Sequence, residues 1–161
     1  MTDNPLHTVH VNIGSNLGNR HDNITKALRC LEIISAGSFN CSPPFYSRPW
    51  QFDSENMFVN VGVTFTTRLS PAELLEKCRE TELSISDLPH RNAAGEYVDR
   101  IIDIDIIAYD NLITKDENLI IPHPRMHLRE FVLRPLSQTW PDWTHPIMHK
   151  TAVELMANLS E

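Results

Sequence analysis

Two aspartates interrupt the most apolar segment of the chain, and no other feature restricts its fold so strongly. Asp103 and Asp105 alternate with isoleucines across residues 101–107. This period of two predicts a β-strand that projects both carboxylates from one face, about 6.6 Å apart along the strand. Two such carboxylates repel each other and lose hydration unless a cation or an arginine compensates them. The spacing leaves two interpretations open: a stripe that faces solvent, or a clamp for Mg²⁺.

The remaining pattern predicts an α+β fold. Alternation and helical spacing predict strands over 9–13, 57–67 and 101–109, and helices over 23–34, 70–85 and 151–159. Because of three prolines, any strand within 38–50 lies at the edge of a sheet or is interrupted. Residues 109–118 read as a polar turn, and the segment after Pro122 as a tail rich in Pro, Trp and His. This order favours a split βαβ sandwich, in which two helices cover one face of an antiparallel sheet.

A long loop separates the second predicted helix from the strand that carries the aspartates. Residues 86–99 have no sustained period and contain Pro89 and Gly95. A loop of this length in a compact domain is usually functional or mobile. The chain of 161 residues has no internal repeat and no linker-like segment, so we expect one domain over residues 1–161.

Charge and composition exclude several classes of function. The chain has 14 Lys and Arg against 21 Asp and Glu, a net charge of −7 with neutral His. This balance argues against a nucleic-acid or membrane-surface protein, but not against a nucleotide bound with Mg²⁺. No apolar run reaches the roughly 18 residues of a membrane span, and residues 1–10 carry no secretory pattern. Three widely spaced cysteines favour free thiols, so we expect a cytoplasmic protein.

Arginines cluster around the two aspartates in the sequence. Ten of the 14 cationic residues are Arg, and five of them follow residue 90: Arg91, Arg100, Arg125, Arg129 and Arg134. The guanidinium fork matches phosphate oxygens two at a time, although solvated surface positions would account for about half of these residues. Metal-ligating acids flanked by arginines indicate a phosphorylated ligand. No P-loop string is present in the sequence, so a P-loop would not hold that ligand.

His123 lies between two prolines, close enough in sequence to the aspartate strand to return to the same site. A histidine in this setting is either a turn residue or a ligand contact, and the local sequence does not decide between them.

Taken together, these motifs resemble the 6-hydroxymethyl-7,8-dihydropterin pyrophosphokinase family over nearly the whole chain. The matching blocks are residues 13–18 (Ile-Gly-Ser-Asn-Leu-Gly), 100–105 (Arg-Ile-Ile-Asp-Ile-Asp), 121–124 (Ile-Pro-His-Pro), 129–136 (Arg-Glu-Phe-Val-Leu-Arg-Pro-Leu) and 143–146 (Trp-Thr-His-Pro). Each block alone is a weak signal, but all of them in order are a strong one. The resemblance implies a ferredoxin-like α+β fold with an extra C-terminal segment.

The resemblance also implies transfer of the β,γ-diphosphate of ATP to the hydroxymethyl oxygen of 6-hydroxymethyl-7,8-dihydropterin. It implies that Asp103 and Asp105 hold two Mg²⁺ ions and that Arg100 completes the catalytic set. The residues that it implies for ATP binding are Arg100, His123, Arg129 and Glu82. Those for pterin binding are Ser47, Pro49, Trp50, Phe58, Asn60 and Phe131. An aromatic ring and an amide suit a flat heterocycle with polar edges.

The loop 86–99 departs from the family pattern. The family usually has Gly-Arg where this chain has Ser86-Asp87, an acid in place of a phosphate-binding arginine. We expect Arg91, elsewhere in the loop, to return the missing charge to ATP, with His90 as the less favoured alternative. One alternative is a weak or inactive relative that binds pterin or nucleotide. Another is a metal-dependent phosphatase or nuclease, for which further metal ligands are lacking. The expected protein is an active pyrophosphokinase that acts as a monomer.

Overall fold

A computed structural model describes residues 4–49 and 54–159 of the chain. The strands are β1 (His7–Ser15), β2 (Phe39–Cys41), β3 (Phe45–Ser47), β4 (Phe58–Thr67), β5 (Asp103–Tyr109), β6 (Thr114–Lys115) and β7 (Ile120–Ile121). The helices are α1 (Arg20–Ile34), α2 (Pro71–Ile85), α3 (Glu130–Thr139) and α4 (Ala152–Leu159), with a 3₁₀ turn at Met126–Leu128. No helix in these ranges is long and apolar enough to cross a membrane.

Five strands form one antiparallel sheet. Its order is β2-β4-β1-β5, and β3 also pairs with β4. The proline-rich segment supplies β2 at the edge, as the sequence predicted. This arrangement confirms the expected ferredoxin-like α+β sandwich with an extra C-terminal segment.

Side-chain caps fix where the first two helices begin. Asn19 accepts a hydrogen bond from the Asp22 backbone N–H, so α1 begins at Arg20, three residues before the predicted start. Ser70 and Glu73 form a reciprocal capping box at the start of α2, and Pro71 follows the cap directly.

Alternate residues of β1, β4 and β5 bury one face of the sheet under α1 and α2. The residues of these three strands in this core are Val9, Val11, Ile13, Val59, Val61, Val63, Phe65, Ile104, Ile106 and Tyr109. Because side chains alternate between faces along a strand, the residues between them face the other side. The functional candidates Asn60, Asp103 and Asp105 are therefore on the face opposite α1 and α2.

Helix α3 covers part of this second face, and the sequence did not predict it. Pro135 lies inside α3, and an internal proline is usually taken as a helix breaker. The helix is retained because Val132, Leu133 and Leu136 bury an apolar stripe in a second core with α4. The predicted polar turn at 109–118 contains the short strand β6, which pairs with β7 just beyond it.

Gly62 of β4 allows α3 to approach the sheet closely. A Cβ atom on Gly62 would lie 2.5 Å from Pro135 Cβ and 2.7 Å from the His10 ring. Such distances exclude any side chain at this position unless the helix moves away. The glycine therefore sets the height of α3 above the sheet.

A buried polar chain also connects α3 to the sheet. His10 Nδ1 lies 2.8 Å from Thr64 Oγ1, which lies 2.8 Å from Thr139 Oγ1, and Thr139 donates to the Pro135 carbonyl. When His10 Nδ1–H donates to Thr64, Thr64 to Thr139 and Thr139 to the Pro135 carbonyl, every proton in this series of hydrogen bonds has an acceptor. We infer that buried His10 is neutral and carries its proton on Nδ1.

This histidine makes stability depend on pH. Burial lowers the pKa of His10 from 6.5 to about 3, so between these values only the unfolded chain takes up the proton. Above this window the imidazole is neutral in both states, and its contribution to stability is fully present. As pH falls through the window, we expect the free energy of unfolding to decrease by up to about 1.4 kcal/mol per pH unit from this residue. Urea unfolding at a series of pH values measures the slope.

A His10→Gln variant removes this titration. Its free energy of unfolding should therefore fall less steeply with acidification, even if it is less stable than the parent at neutral pH. His149→Gln is the matched control, because His149 is exposed, and it should keep the parental slope. Equal slopes in the parent and in His10→Gln would contradict the assignment.

Candidate active site

Three strands place polar residues side by side on the second face of the sheet. Gly14 of β1 is the register partner of Asn60 on β4 and of Asp103 on β5. Asn12 is likewise the partner of Asp105. The alternation in β5 puts both aspartates on this face, as the sequence predicted. The face therefore carries an amide on one strand and two carboxylates two strands away.

A cavity of about 270 Å³ opens over this row. The expected site residues that line it are Ser47, Phe58, Asn60, Arg91, Arg100, Asp103, Asp105, His123, Arg129 and Phe131. Two other expected residues, Pro49 and Glu82, are described by the structure but do not line it. Trp50, expected to bind the pterin, lies outside the described residues. Most of the expected set therefore converges on one cavity.

Most of the charged side chains that line this cavity with the two carboxylates are arginines. Arg100 Nη1 donates to Asp103 Oδ2 at 2.5 Å. Burial, and then the adjacent Asp103 carboxylate, raise the pKa of Asp105 well above its usual range, although Arg129 and Arg100 oppose the shift. A bound cation would relieve this repulsion, and paired carboxylate oxygens are ligands that Mg²⁺ prefers. The donor set therefore fits a magnesium site.

Glu82 lies beside this pair rather than in the main cavity. Its Oε2 accepts the Ile104 backbone N–H at 2.7 Å, which fixes the carboxylate at the start of β5. Burial, opposed by this hydrogen bond and reinforced by Asp103, raises the pKa of Glu82 to about 7. It lines a neighbouring cavity, and Asp103 and Asp105 line both cavities. The resemblance implies a role for Glu82 in ATP binding, and that role stays a prediction for a carboxylate that lies beside the main cavity.

The Asn60 amide is oriented by hydrogen bonds. Its Nδ2 donates to the Phe45 carbonyl at 3.2 Å and to Ser47 Oγ at 2.8 Å. A Cβ atom on Gly14 would lie 3.0 Å from Asn60 Oδ1 and 3.3 Å from the Phe58 ring. The missing side chain at Gly14 therefore keeps the space beside Asn60 Oδ1 open for a ligand.

His123 is held as a neutral donor. Its backbone N–H donates to the Ile107 carbonyl, and its Nδ1 accepts the Arg125 backbone N–H at 3.2 Å. The proton of the neutral ring is therefore on Nε2. Burial, followed by the charge of Arg129, lowers the pKa of His123 to about 4. At neutral pH the ring can donate one hydrogen bond without adding charge.

Within the loop 86–99, a single bridge between Arg91 and Tyr97 closes a short turn. Arg91 Nη2 donates to Tyr97 Oη at 2.7 Å, and the guanidinium carbon lies 4.2 Å from the ring centroid. The Arg100 guanidinium carbon lies 5.0 Å from the same centroid. Tyr97 therefore holds two arginines at the cavity through ring contacts.

The motif that follows β1 positions Arg100. Asn16 donates its backbone N–H to the Arg100 carbonyl, and its Oδ1 accepts the Arg100 backbone N–H at 2.6 Å. Asn16 Nδ2 and Asn56 Nδ2 donate to the two Asp99 oxygens at 2.8 Å and 2.6 Å. Asn16, directly after β1, thus fixes the backbone of an arginine that lines the cavity.

Five further residues line the cavity. His90 was the less favoured source of loop charge, and the sequence did not predict the other four as site residues: Asn12, Gly14, Arg48 and Tyr97. Asn12 is 4% exposed, and among the described residues its Oδ1 has no hydrogen-bond partner. Such an acceptor is costly to bury unless a ligand or water satisfies it. In the sequence, Asn12 is a polar position that alternates with Val11 and Ile13, a pattern that predicts exposure, so no signal marked it as a buried site residue.

Known proteins similar to this chain are found over most of its length. A protein of Dictyostelium discoideum called folic acid synthesis protein FOL1 is 36% identical over 94% of this chain, which spans 22% of that protein. The 2-amino-4-hydroxy-6-hydroxymethyldihydropteridine pyrophosphokinase of Porphyromonas gingivalis is 34% identical, with 86% of this chain and 93% of the relative covered.

The fold has counterparts among solved structures. The crystal structure of wild-type Plasmodium falciparum HPPK-DHPS with SDX-DHP aligns with a TM-score of 0.73 at 14% identity, covering 98% of this chain and 45% of that one. A model of the 7,8-dihydro-6-hydroxymethylpterin-pyrophosphokinase (HPPK) family matches residues 10–141. With this match and the identity to the Porphyromonas relative, the chain belongs to the HPPK family.

Proposed function

We propose that this chain transfers the β,γ-diphosphate of ATP to the hydroxymethyl group of 6-hydroxymethyl-7,8-dihydropterin, with release of AMP, in folate biosynthesis. The observation that carries the proposal is the row Asn60, Gly14 and Asp103 across three adjacent strands. Its ends lie two strand spacings apart, roughly 10 Å. A bicyclic pterin with its hydroxymethyl arm spans that distance, from an amide at one end to the carboxylates at the other.

The end of the cavity beside Asn60, where the pterin would bind, provides a hydrogen-bond acceptor and aromatic rings. Because Asn60 Nδ2 is already used by Phe45 and Ser47, Oδ1 is the atom that can accept a pterin N–H. Phe58 and Phe131 line the same cavity and supply ring surfaces for a flat heterocycle. Ser47 acts through Asn60, since it holds the amide in this orientation.

The end of the cavity beside Asp103, where the ATP phosphates would bind, contains arginines and a histidine that can donate hydrogen bonds. Arg91, Arg100 and Arg129 line the cavity with His123, so three guanidinium groups and one neutral N–H face the same space. Two Mg²⁺ ions on Asp103 and Asp105 would neutralise the developing phosphate charge and activate the pterin hydroxyl. Transfer of this kind needs mainly positioning and charge stabilisation from the protein. The side chains present meet that requirement without a strong general base.

The alternative of an inactive relative rested on Asp87. Asp87 is exposed and does not line the cavity, whereas Arg91 of the same loop does. The acid therefore adds no negative charge at the phosphate end, and a guanidinium is available there. These positions support an active pyrophosphokinase over a relative that only binds ligands.

Three broader expectations remain part of the proposal: a single domain over residues 1–161, a monomer, and action in the cytoplasm. The three cysteines are free, with Cys41 exposed, which suits a reducing compartment. Sedimentation of the purified chain measures the oligomeric state.

The decisive assay combines the protein with 6-hydroxymethyl-7,8-dihydropterin, ATP and Mg²⁺ and measures AMP and the pterin diphosphate. We expect AMP formation that requires the pterin. Asp105→Ala should lower the turnover number by at least about 100-fold, because it removes a metal ligand worth several kcal/mol to the transition state. Asp142→Ala, at an exposed position, is the matched control. Binding of both ligands without AMP would contradict the proposed activity.

Gly14→Ala tests the shape of the pterin end. Its Cβ would press on Asn60 Oδ1, so we expect the pterin KM to rise by about tenfold, near 1.4 kcal/mol, with the ATP KM little changed. Steady-state kinetics with each substrate varied in turn separates the two constants. An equal rise in both constants would indicate a general distortion of the sheet instead.

Arg91→Ala tests whether the loop arginine serves ATP. Loss of a guanidinium from the phosphate end should raise the ATP KM or lower turnover by about tenfold or more. Arg29→Ala, an exposed position on α1, is the control for loss of surface charge. If Arg91→Ala matched the parent in ATP affinity and in turnover, Arg91 would not replace the missing family arginine.

A further inference from the structure

Three potential ligands meet where α2, the loop 86–99 and β5 adjoin. Glu82 comes from α2, His90 from the loop and Asp103 from β5, and one ligand atom from each lies within 4.8 Å of the other two. The side chains of Glu82 and Asp103 are 19% and 18% exposed, so they belong to a sheltered cluster. His90 and Asp103 line both the main cavity and its neighbour, and thus the cluster lies at their junction.

Two of the three ligands are already fixed in place. Arg100 binds Asp103 through Oδ2, and the other oxygen, Oδ1, is the one that approaches His90. Glu82 Oε2 holds the Ile104 backbone N–H at 2.7 Å, and a carboxylate oxygen retains a second lone pair. A ligand set on a helix and a strand is pre-organised, so the loop histidine is the part that adjusts.

The separations exceed hydrogen bonds but suit an ion between the groups. His90 Nδ1 lies 3.6 Å from Asp103 Oδ1, and His90 Nε2 lies 3.9 Å from Glu82 Oε2. Hydrogen bonds between such atoms span about 2.7–3.2 Å. Ligands about 2.1 Å from a metal ion lie roughly 3.0–3.4 Å from each other. A shift of about an ångström in the partly exposed His90, presenting one ring nitrogen, would close the set.

We propose that Glu82, His90 and Asp103 bind a divalent transition-metal ion, such as Co²⁺ or Zn²⁺, through one imidazole nitrogen and two carboxylate oxygens. This ligand set shares only Asp103 with the magnesium pair. Imidazole favours transition metals, whereas Mg²⁺ prefers oxygen ligands and retains water. The ion would attach the loop 86–99 to β5 and bring positive charge into the loop where Asp87 stands in place of the family arginine.

Co²⁺ is the probe that tests this site, because its visible absorption reports its ligands. The nucleotide-free protein is titrated with Co²⁺ in millimolar Mg²⁺, and calorimetry gives the affinity and stoichiometry. We expect one tightly bound Co²⁺ per chain. His90→Asn and Glu82→Gln should each weaken this binding by at least about tenfold, because each removes a ligand.

Two variants make the result specific. His149→Asn is the matched control for histidine loss at an exposed position, and Asn tolerates the positive φ of 58° found there. Asp105→Asn keeps all three proposed ligands. Both should retain Co²⁺ affinity within about twofold of the parent, since neither removes a proposed ligand.

Two outcomes would overturn the proposal. Parental Co²⁺ binding by His90→Asn would show that the imidazole is not a ligand and only faces the carboxylates as a charge partner. Loss of binding in Asp105→Asn, but not in Glu82→Gln, would assign the ion to the aspartate pair of β5. The titration contains neither ATP nor pterin, so its failure is distinct from a failure of diphosphate transfer.

Discussion

The compensation of negative charge on β5 is the constraint on which the site depends. An uncompensated carboxylate in this partly buried position costs several kcal/mol, and Arg100 provides the direct contact with Asp103. Arg100 can do so because Asn16 holds both its backbone N–H and its carbonyl. The turn after β1 thus orients the cation for β5, its neighbour in the sheet. The pairing of β1 with β5 therefore also brings Arg100 against Asp103.

The sequence predicted the elements whose signal is local. The capping box at Ser70 and the alternation in β4 and β5 are set by neighbours in the chain, and they located α2 and the central sheet correctly. α3 could not be predicted in this way, because Pro135 opposes a helix locally while burial of Leu133 and Leu136 against the rest of the fold stabilises it. Tertiary packing decided the conformation of that segment.

In the candidate site, too, residues with a local sequence signal were predicted and residues placed by tertiary structure were not. The aspartate pair could be predicted because two charges interrupt an apolar strand. Asn60 and Phe131 were predicted from the resemblance that the order of the motifs supports. Gly14 and Asn12 gave no such signal, since their importance comes from register with residues about 50 or more positions away in sequence. The cavity that Glu82 lines could not be predicted locally either, because it depends on how α2 packs on the sheet.

The cavity is also assembled from two distant parts of the chain. β1, β4 and β5 form its floor and are complete by Tyr109, whereas Arg129 and Phe131 enter with the start of α3. The close contact with Gly62 and the hydrogen bonds that link His10, Thr64 and Thr139 position that helix on the sheet. During synthesis from the amino end, the sheet can form well before the ligand site exists. A ligand that contacts both the strands and the start of α3 can therefore stabilise the folded state only after the residues beyond Tyr109 have been synthesised and have packed on the sheet.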